Sequence, residues 1–275
     1  MVKSGVLKTR LDKLLVERGL TPSRERAQSL ILAGKVLVNE QKVEKAGAAI
    51  DSDAAIRLLL DNFRYVSRGG LKLEKALEHW RIDLNGKTCL DVGASTGGFS
   101  DCMLQHGAVR VVAVDTGYGQ MDLGLRKDAR VQLLEKTNAR YLTREDIGDR
   151  AGGGIHFIAM DVSFISATQV LPAVVRAAFF VSTPADREFG GNIGPAPHLP
   201  RGIVVLVKPQ FEVGRELVGK GGIVRDEVAQ QSAVKKVEAA LVNLGFADTE
   251  SIESPILGGE GNREFLLHGI LPTAE

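Results

Sequence analysis

The 275-residue chain has only two cysteines, Cys89 and Cys102. That is too few for a disulfide framework, and their spacing is not that of a zinc knuckle, so both read as small core residues. The five histidines (His79, His106, His156, His198 and His268) are scattered without ligand-like pairing, and no metal is expected. Long apolar runs are missing too. The longest, around 162–175, contains Gln169 and Pro172 and is closed by Arg176, which is too short to cross a bilayer. The first twenty residues carry Lys3, Lys8, Arg10, Asp12, Lys13, Glu17 and Arg18, a composition unlike the apolar core of a secretion signal. The expectation is a cytoplasmic protein with no membrane partner. Aromatics amount to 5 % with Trp80 the single tryptophan, so any nucleic acid would be held mostly by charge and shape. Tyr65, Tyr118 and Tyr141 are the candidates for stacking.

Net charge is also nearly absent, with 35 Lys+Arg against 34 Asp+Glu. The balance conceals an asymmetry. Residues 1–50 hold ten basic and five acidic side chains, a local +5, which leaves −4 for the remainder. A basic head on a mildly acidic body points to a nucleic-acid partner.

The head reads as a small α+β unit. Leu11, Leu14 and Leu15 recur at helical spacing up to Gly19; Ser23 can cap a second helix whose stripe is Ala27, Leu30 and Ile31, and Gly34 can end it. The period then changes to two at Val36 and Val38, with Asn39-Glu40 as a turn before Val43. Residues 51–66 read as a connection that includes an apolar strand at 56–60. Beyond it, strands at 88–92, 109–115, 131–134, 155–161 and 203–208 alternate with helices at 71–80, 99–105, 166–180 and 226–244. Strands at 246–254 and 264–268 follow. Continuous Val/Ile runs suit a parallel sheet buried on both faces, and the alternation predicts a doubly wound α/β domain with ligands at the carboxyl ends of its strands. The stretch 182–202, with four prolines, reads as a surface insertion.

Leu90-Asp91-Val92-Gly93-Ala94-Ser95-Thr96-Gly97-Gly98-Phe99 lies where a strand turns into a helix. It reads G-x-x-x-G-G and not G-x-G-x-x-G, which favours a nucleoside without a pyrophosphate. Asp115 closes the next strand, where an acidic residue can bond ribose hydroxyls, and Asn138 follows the third strand as a contact to an adenine edge. Together these read as an S-adenosylmethionine site made by Gly93, Ser95, Thr96, Gly97, Gly98, Phe99, Asp115, Asn138 and Asp161. Asp161 and Lys208 end the fourth and fifth strands and point to the same crevice. Taken one at a time, Lys72 and Glu264 read as solvated helix or strand-edge charges.

Two resemblances rest on these residues. Arg10-Leu11-Asp12-Lys13-Leu14-Leu15, Ser23-Arg24-Glu25-Arg26-Ala27 and Ala33-Gly34-Lys35-Val36-Leu37-Val38-Asn39 resemble the S4-like RNA-binding module. From Ser67 onward the chain is similar to FtsJ/RrmJ-type methyltransferases, through Val66–Leu73, Asp91–Phe99, the 114–120, 135–140 and 161–166 segments, 207–214 and 219–226. The two in this order resemble the TlyA family, historically labelled hemolysins. The resemblance implies a Rossmann-like methyltransferase domain at 67–275 behind an S4-like domain at 1–62, with 63–66 as linker. It implies S-adenosylmethionine-dependent 2′-O-methylation of ribosomal RNA (16S and/or 23S, a cytidine-type activity), with ribosomal RNA or ribosomal subunits as partner. It also implies a tetrad of Lys72, Asp161, Lys208 and Glu264 with Lys208 as the base, and RNA contacts through Arg10, Lys13, Arg24, Arg26, Lys35 and Arg68. A membrane-lytic protein and a non-catalytic ribosome-binding protein are the alternatives.

Overall fold

The computed structural model describes residues 8–21, 23–32, 34–59, 64–148, 154–179, 201–258 and 261–272. The chain divides into two units, Met1–Phe63 and Arg64–Glu275.

The first unit runs β1 (Lys8–Arg10), α1 (Leu11–Glu17), α2 (Arg24–Leu32), β2 (Val36–Val38), β3 (Gln41–Lys42), β4 (Ala49–Asp51) and β5 (Ile56–Leu58). β3, β2 and β5 form an antiparallel sheet in that order, and β1 pairs with β4. Leu11, Leu15, Ala27, Ile31, Val36 and Val38 are its core. Asn39 and Glu40 turn the β2–β3 hairpin with φ of 48° and 62°, the mirror-image turn whose twist suits a hairpin. Two expectations change here. Val36, Leu37 and Val38 are all buried, so β2 does not alternate. Ile56–Leu58 is not part of a connection: it hydrogen-bonds to β2 and completes this unit's sheet.

The second unit runs α3 (Gly69–His79), β6 (Thr88–Val92), α4 (Gly98–Gln105), β7 (Arg110–Val114), α5 (Leu123–Lys127), β8 (Val131–Leu134), α6 (Arg144–Ile147), β9 (Phe157–Met160), α7 (Ala167–Phe179), β10 (Arg201–Val207), α8 (Pro209–Glu212), α9 (Glu227–Asn243), β11 (Ala247–Glu253) and β12 (Phe265–Leu271). Among the described residues its seven strands are ordered β11-β12-β10-β9-β6-β7-β8. The run β10-β9-β6-β7-β8 is parallel, while β12 is antiparallel to β10 and β11 antiparallel to β12. Strand periodicity sorts the core into two layers. Leu90, Val112, Ile158 and Val205 face one layer with α7 and α9; Cys89, Val111, Phe157 and Val204 face the other with α3 and α4. That double coverage is why these strands read as unbroken apolar runs. Burial pushes the thiols of Cys89 and Cys102 up to about 12, which leaves them inert at neutral pH.

Arg201 and Gly202, read from sequence as the end of the insertion, are instead the first residues of β10, paired with Leu271 and Ile270. Residues 182–200 lie outside the described residues. β6 has β7 on one side and β9 on the other, so the chain reverses its direction of winding there and opens a crevice at the carboxyl ends of β6 and β9.

Candidate active site

The turn from β6 into α4 forms one wall of that crevice. The Gly93 and Ala94 amides donate to the Val114 carbonyl at 2.9 and 3.2 Å, which fastens the turn to β7. Gly93 has φ of +86°, and a Cβ there would lie 2.3 Å from the Asp161 carbonyl oxygen. Only glycine meets both demands. A Cβ on Gly98 would lie 2.3 Å from Ser67 Oγ, so this residue lets α4 start against the entry to α3. Gly97 caps α4, Thr96 accepts the Asp122 amide through its carbonyl at 3.2 Å, and Phe99 is buried in the core beneath.

Asp115 follows β7. Its Oδ2 accepts the Ser95 amide at 2.8 Å and its Oδ1 the Gly117 amide at 2.6 Å. Each oxygen keeps a second lone pair for a ligand hydroxyl. Asn138 caps a 3-10 turn at Ala139–Tyr141 by accepting the Arg140 amide at 3.0 Å. Asp115, Asn138, Thr116, Ser163 and Phe164 line a cleft of ≈ 290 Å³. A second cleft of ≈ 270 Å³ is lined by Ser67, Arg68, Lys72, Thr96, Phe99 and Leu257. Gly93, Ser95 and Asp161 line both, so the two clefts are lobes of one crevice. A carboxylate at one end and close-approach glycine backbone in the middle suit a nucleoside, and Lys72 lines the other lobe.

The four tetrad residues form two ion pairs beside this crevice. Lys72 Nζ lies 2.5 Å from Glu264 Oε2, and the two side chains are 10 % and 3 % exposed. Burial overturns the reading of either as a solvated charge: an isolated charge there would be costly, and each offsets the other. Lys208 Nζ contacts Asp161 Oδ1 at 2.5 Å, an ion-pair contact and not an aligned hydrogen bond, and donates to Ser163 Oγ at 2.7 Å.

Sequence reasoning passed over several residues at this site. Glu212 is one: its Oε1 accepts the Ala167 amide at 2.6 Å and its Oε2 the Ser166 hydroxyl at 2.5 Å, with Lys236 Nζ 3.3 Å away. It ties the segment after Lys208 to the segment after Asp161. Phe164 is another, at φ +65° and 92 % exposed, with its ring 5.5 Å from that of Phe211. Tyr118 is exposed with Lys136 Nζ 4.6 Å from its ring centre, whereas Tyr65, expected as a stacking candidate, is buried and donates its hydroxyl to Glu74 at 2.8 Å. An exposed aromatic after a strand looks like core in sequence; only its backbone angle turns it outward.

Asp91, on β6 beneath the glycine turn, is fully buried. Its Oδ2 accepts the Ser100 hydroxyl at 2.6 Å, and its Oδ1 has no hydrogen-bond partner among the described residues. Burial pushes its carboxyl up to about 7, with the charges of Asp161 and Asp115 adding to the effect against the Ser100 hydrogen bond. The folded state therefore binds this proton more tightly than the unfolded state, whose carboxyl titrates near ~3.9. The stabilising effect is full below about pH 4 and is lost as pH rises to about 7. Asp91→Asn is expected to flatten the decline of Tm across that window. Identical wild-type and variant slopes in thermal melts would contradict this.

The chain is similar to known proteins over nearly its whole length. Residues 65–270 match the FtsJ-like methyltransferase family and residues 9–56 the S4 domain. The chain is 43 % identical over 261 residues to the 16S/23S rRNA (cytidine-2′-O)-methyltransferase TlyA of Mycobacterium tuberculosis, covering 94 % of this chain and 89 % of that one. It is 39 % identical over 262 residues to hemolysin A of Brachyspira hyodysenteriae, covering 95 % and 100 %. Among solved structures, a "putative hemolysin" from Streptococcus thermophilus aligns with a TM-score of 0.68 at 39 % identity, covering 98 % of this chain and 90 % of that one.

Proposed function

The chain belongs to the FtsJ-like methyltransferases and carries an S4 domain ahead of the methyltransferase unit; from that premise we propose that it transfers a methyl group from S-adenosylmethionine to a ribose 2′-hydroxyl of ribosomal RNA in the cytoplasm. The observation that carries the reading is the pairing of Lys208 with Asp161 and Lys72 with Glu264 at the crevice that holds the glycine turn. The relative from Mycobacterium tuberculosis, whose name gives a cytidine 2′-hydroxyl as acceptor, supports the same substrate.

Bound S-adenosylmethionine supplies an electrophilic methyl on a sulfonium. Asp115, Asn138 and the Gly93–Phe99 turn hold the nucleoside end. Lys208, held by Asp161 and Ser163, acts as the base in its neutral form: its ammonium first gives up a proton to solvent, and the amine then takes the proton of the attacking 2′-hydroxyl. Lys72, neutralised by Glu264, and Arg68 at the cleft mouth orient the acceptor nucleotide. Alignment of oxygen, carbon and sulfur contributes up to about 7–11 kcal/mol by effective-molarity arguments. Phe164 and Tyr118 are exposed aromatic side chains on which an RNA base can stack.

The first unit holds the RNA through Arg10, Lys13, Arg24, Arg26 and Lys35; the contact of Lys13 with Glu17 at 3.3 Å is an exposed pair one helical turn apart and leaves it able to reach a phosphate. Because these contacts are to phosphates, affinity for a ribosomal RNA fragment is expected to fall at least about tenfold between 50 and 200 mM salt. Equal affinity at both salt concentrations in a filter-binding assay would refute this role. The transfer itself is tested by mass-spectrometric mapping of ribosomal RNA from cells with and without the protein, where the absence of any 2′-O-methyl difference would overturn the assignment. The hemolysin name of one relative motivates the alternative of a membrane-lytic protein. No helix among the described residues is long and apolar enough to cross a membrane. Leakage of liposomes caused by the pure protein would restore that reading.

A further inference from the structure

Asp12 is a buried carboxylate that the transfer chemistry does not use. It lies in the first turn of α1, and its side chain has no solvent exposure. Arg10, immediately before the helix, donates Nε to Oδ1 at 3.1 Å and Nη2 to Oδ2 at 3.0 Å. Arg24, the first residue of α2, donates Nη2 to the same Oδ2 at 3.0 Å, and Gln28, one turn on, donates Nε2 to it at 2.9 Å. The hydrogen bonds from Arg10, and then from Gln28 and Arg24, outweigh the opposing effect of burial and hold the carboxyl well below the usual range, so it stays charged at neutral pH.

The arginines are not buried with it. Their side chains remain 54 % and 52 % exposed. Both Nη2 atoms sit 3.0 Å from one oxygen, so they are at most 6.0 Å apart. Two unlinked guanidinium groups would repel at that distance, and each would lose rotamer freedom to stay there. Asp12 removes both obstacles while engaging only two nitrogens of Arg10 and one of Arg24. A guanidinium carries five N–H donors, so each arginine keeps donors for a further acceptor. Gly47 helps to seat the first of them, since a Cβ there would crowd Arg10 Nη1 at 3.2 Å.

We propose that Asp12 is a positioning residue for the RNA substrate, holding Arg10 and Arg24 as one fork that grips a single backbone phosphate. The proposal rests on the reading of this unit as the RNA holder. A carboxylate serving only to tie α1 to α2 predicts the opposite sign for its removal. Asp12→Asn takes away a negative charge from a basic face, so simple electrostatics makes RNA bind more tightly. The fork makes it bind more weakly.

The test uses the full-length protein and a ribosomal RNA fragment, with binding followed by anisotropy across a salt series well below the variant's Tm. Asp12→Asn is expected to lose about tenfold in affinity and about one from the logarithmic salt slope. Arg10→Lys combined with Arg24→Lys keeps the charge but loses the planar fork, and is expected to weaken binding to a similar extent. This double variant keeps the proposal testable if Asp12→Asn fails to fold. Combining Asp12→Asn with Arg24→Gln should cost little beyond either change alone, because both dismantle one fork. Binding by Asp12→Asn as tight as wild type or tighter, with an unchanged slope, overturns the proposal, as does wild-type affinity in the double lysine variant. If wild-type binding is insensitive to salt and to all arginine changes, the RNA-holding role of the whole unit fails, a result distinct from failure of the fork alone.

Discussion

Lys208→Ala is expected to reduce methyl transfer by roughly 10²–10⁴-fold, the range associated with loss of a general base. Binding of S-adenosylmethionine measured by calorimetry should stay near wild type. The separation follows from geometry. Lys208 is held by Asp161 and Ser163 at the edge of the crevice, whereas the nucleoside end of the cleft is formed by Asp115, Asn138 and the glycine turn. Removing the amine leaves those groups in place. Lys208→Arg is the sharper variant, since it keeps a cation against Asp161 yet cannot accept a proton. Complete methylation of ribosomal RNA by either variant would remove Lys208 from the mechanism.

Lys72→Met should produce the largest stability change. It strands Glu264, whose side chain is 3 % exposed, with no partner for its charge. Breaking a buried pair from one side costs about 3–5 kcal/mol, which corresponds to a fall in Tm of roughly 10 °C for a unit of this size. Lys72→Met combined with Glu264→Leu removes both charges and should recover most of that loss, because two packed apolar side chains need no partner. Transfer activity should remain lost in the double variant, since neither side chain can orient the acceptor. Melting curves and single-turnover methylation on the same three proteins decide the matter. A double variant that is both stable and fully active would reduce the pair to a structural tie.

Much of the site was legible in the sequence, for local reasons. Gly93, Gly97 and Gly98 sit at a strand-to-helix turn, where positive φ and close backbone approach leave few alternatives. Asp115, Asp161 and Lys208 each follow an apolar strand by one residue, and such positions in a parallel sheet converge on the crevice. The adjacent strand-end residues were therefore found by position alone. Lys72 and Glu264 were not: a lysine one turn into a helix and a glutamate ahead of a strand look solvated until the fold brings them together across 192 residues. The resemblance implied them as members of one tetrad, and in the structure they form a buried ion pair.

Other features had no signature in the sequence. Nothing in the local pattern marks Glu212, yet it accepts the first amide of α7 and is buried. Asp12 reads as an ordinary first-turn acid, and its grip on Arg24 and Gln28 depends on how α1 and α2 meet. Ile56–Leu58 looked like connection because its partner, β2, lies about twenty residues earlier in the chain.

Taken alone, the sequence determined the alternation of the longer strands and helices in the second unit, the glycine turn and the charge division between head and body. These follow from side-chain periodicity, backbone freedom and composition, which act over a few residues. The tertiary structure decided which charges are neutralised and which stay available. Lys72 and Glu264 cancel in the interior, Arg10 and Arg24 share one carboxylate at the surface, and Lys208 rests on Asp161 at the crevice. The physical reason is desolvation. A charge costs little until the fold removes its water, and only the fold brings up the partner that takes the water's place.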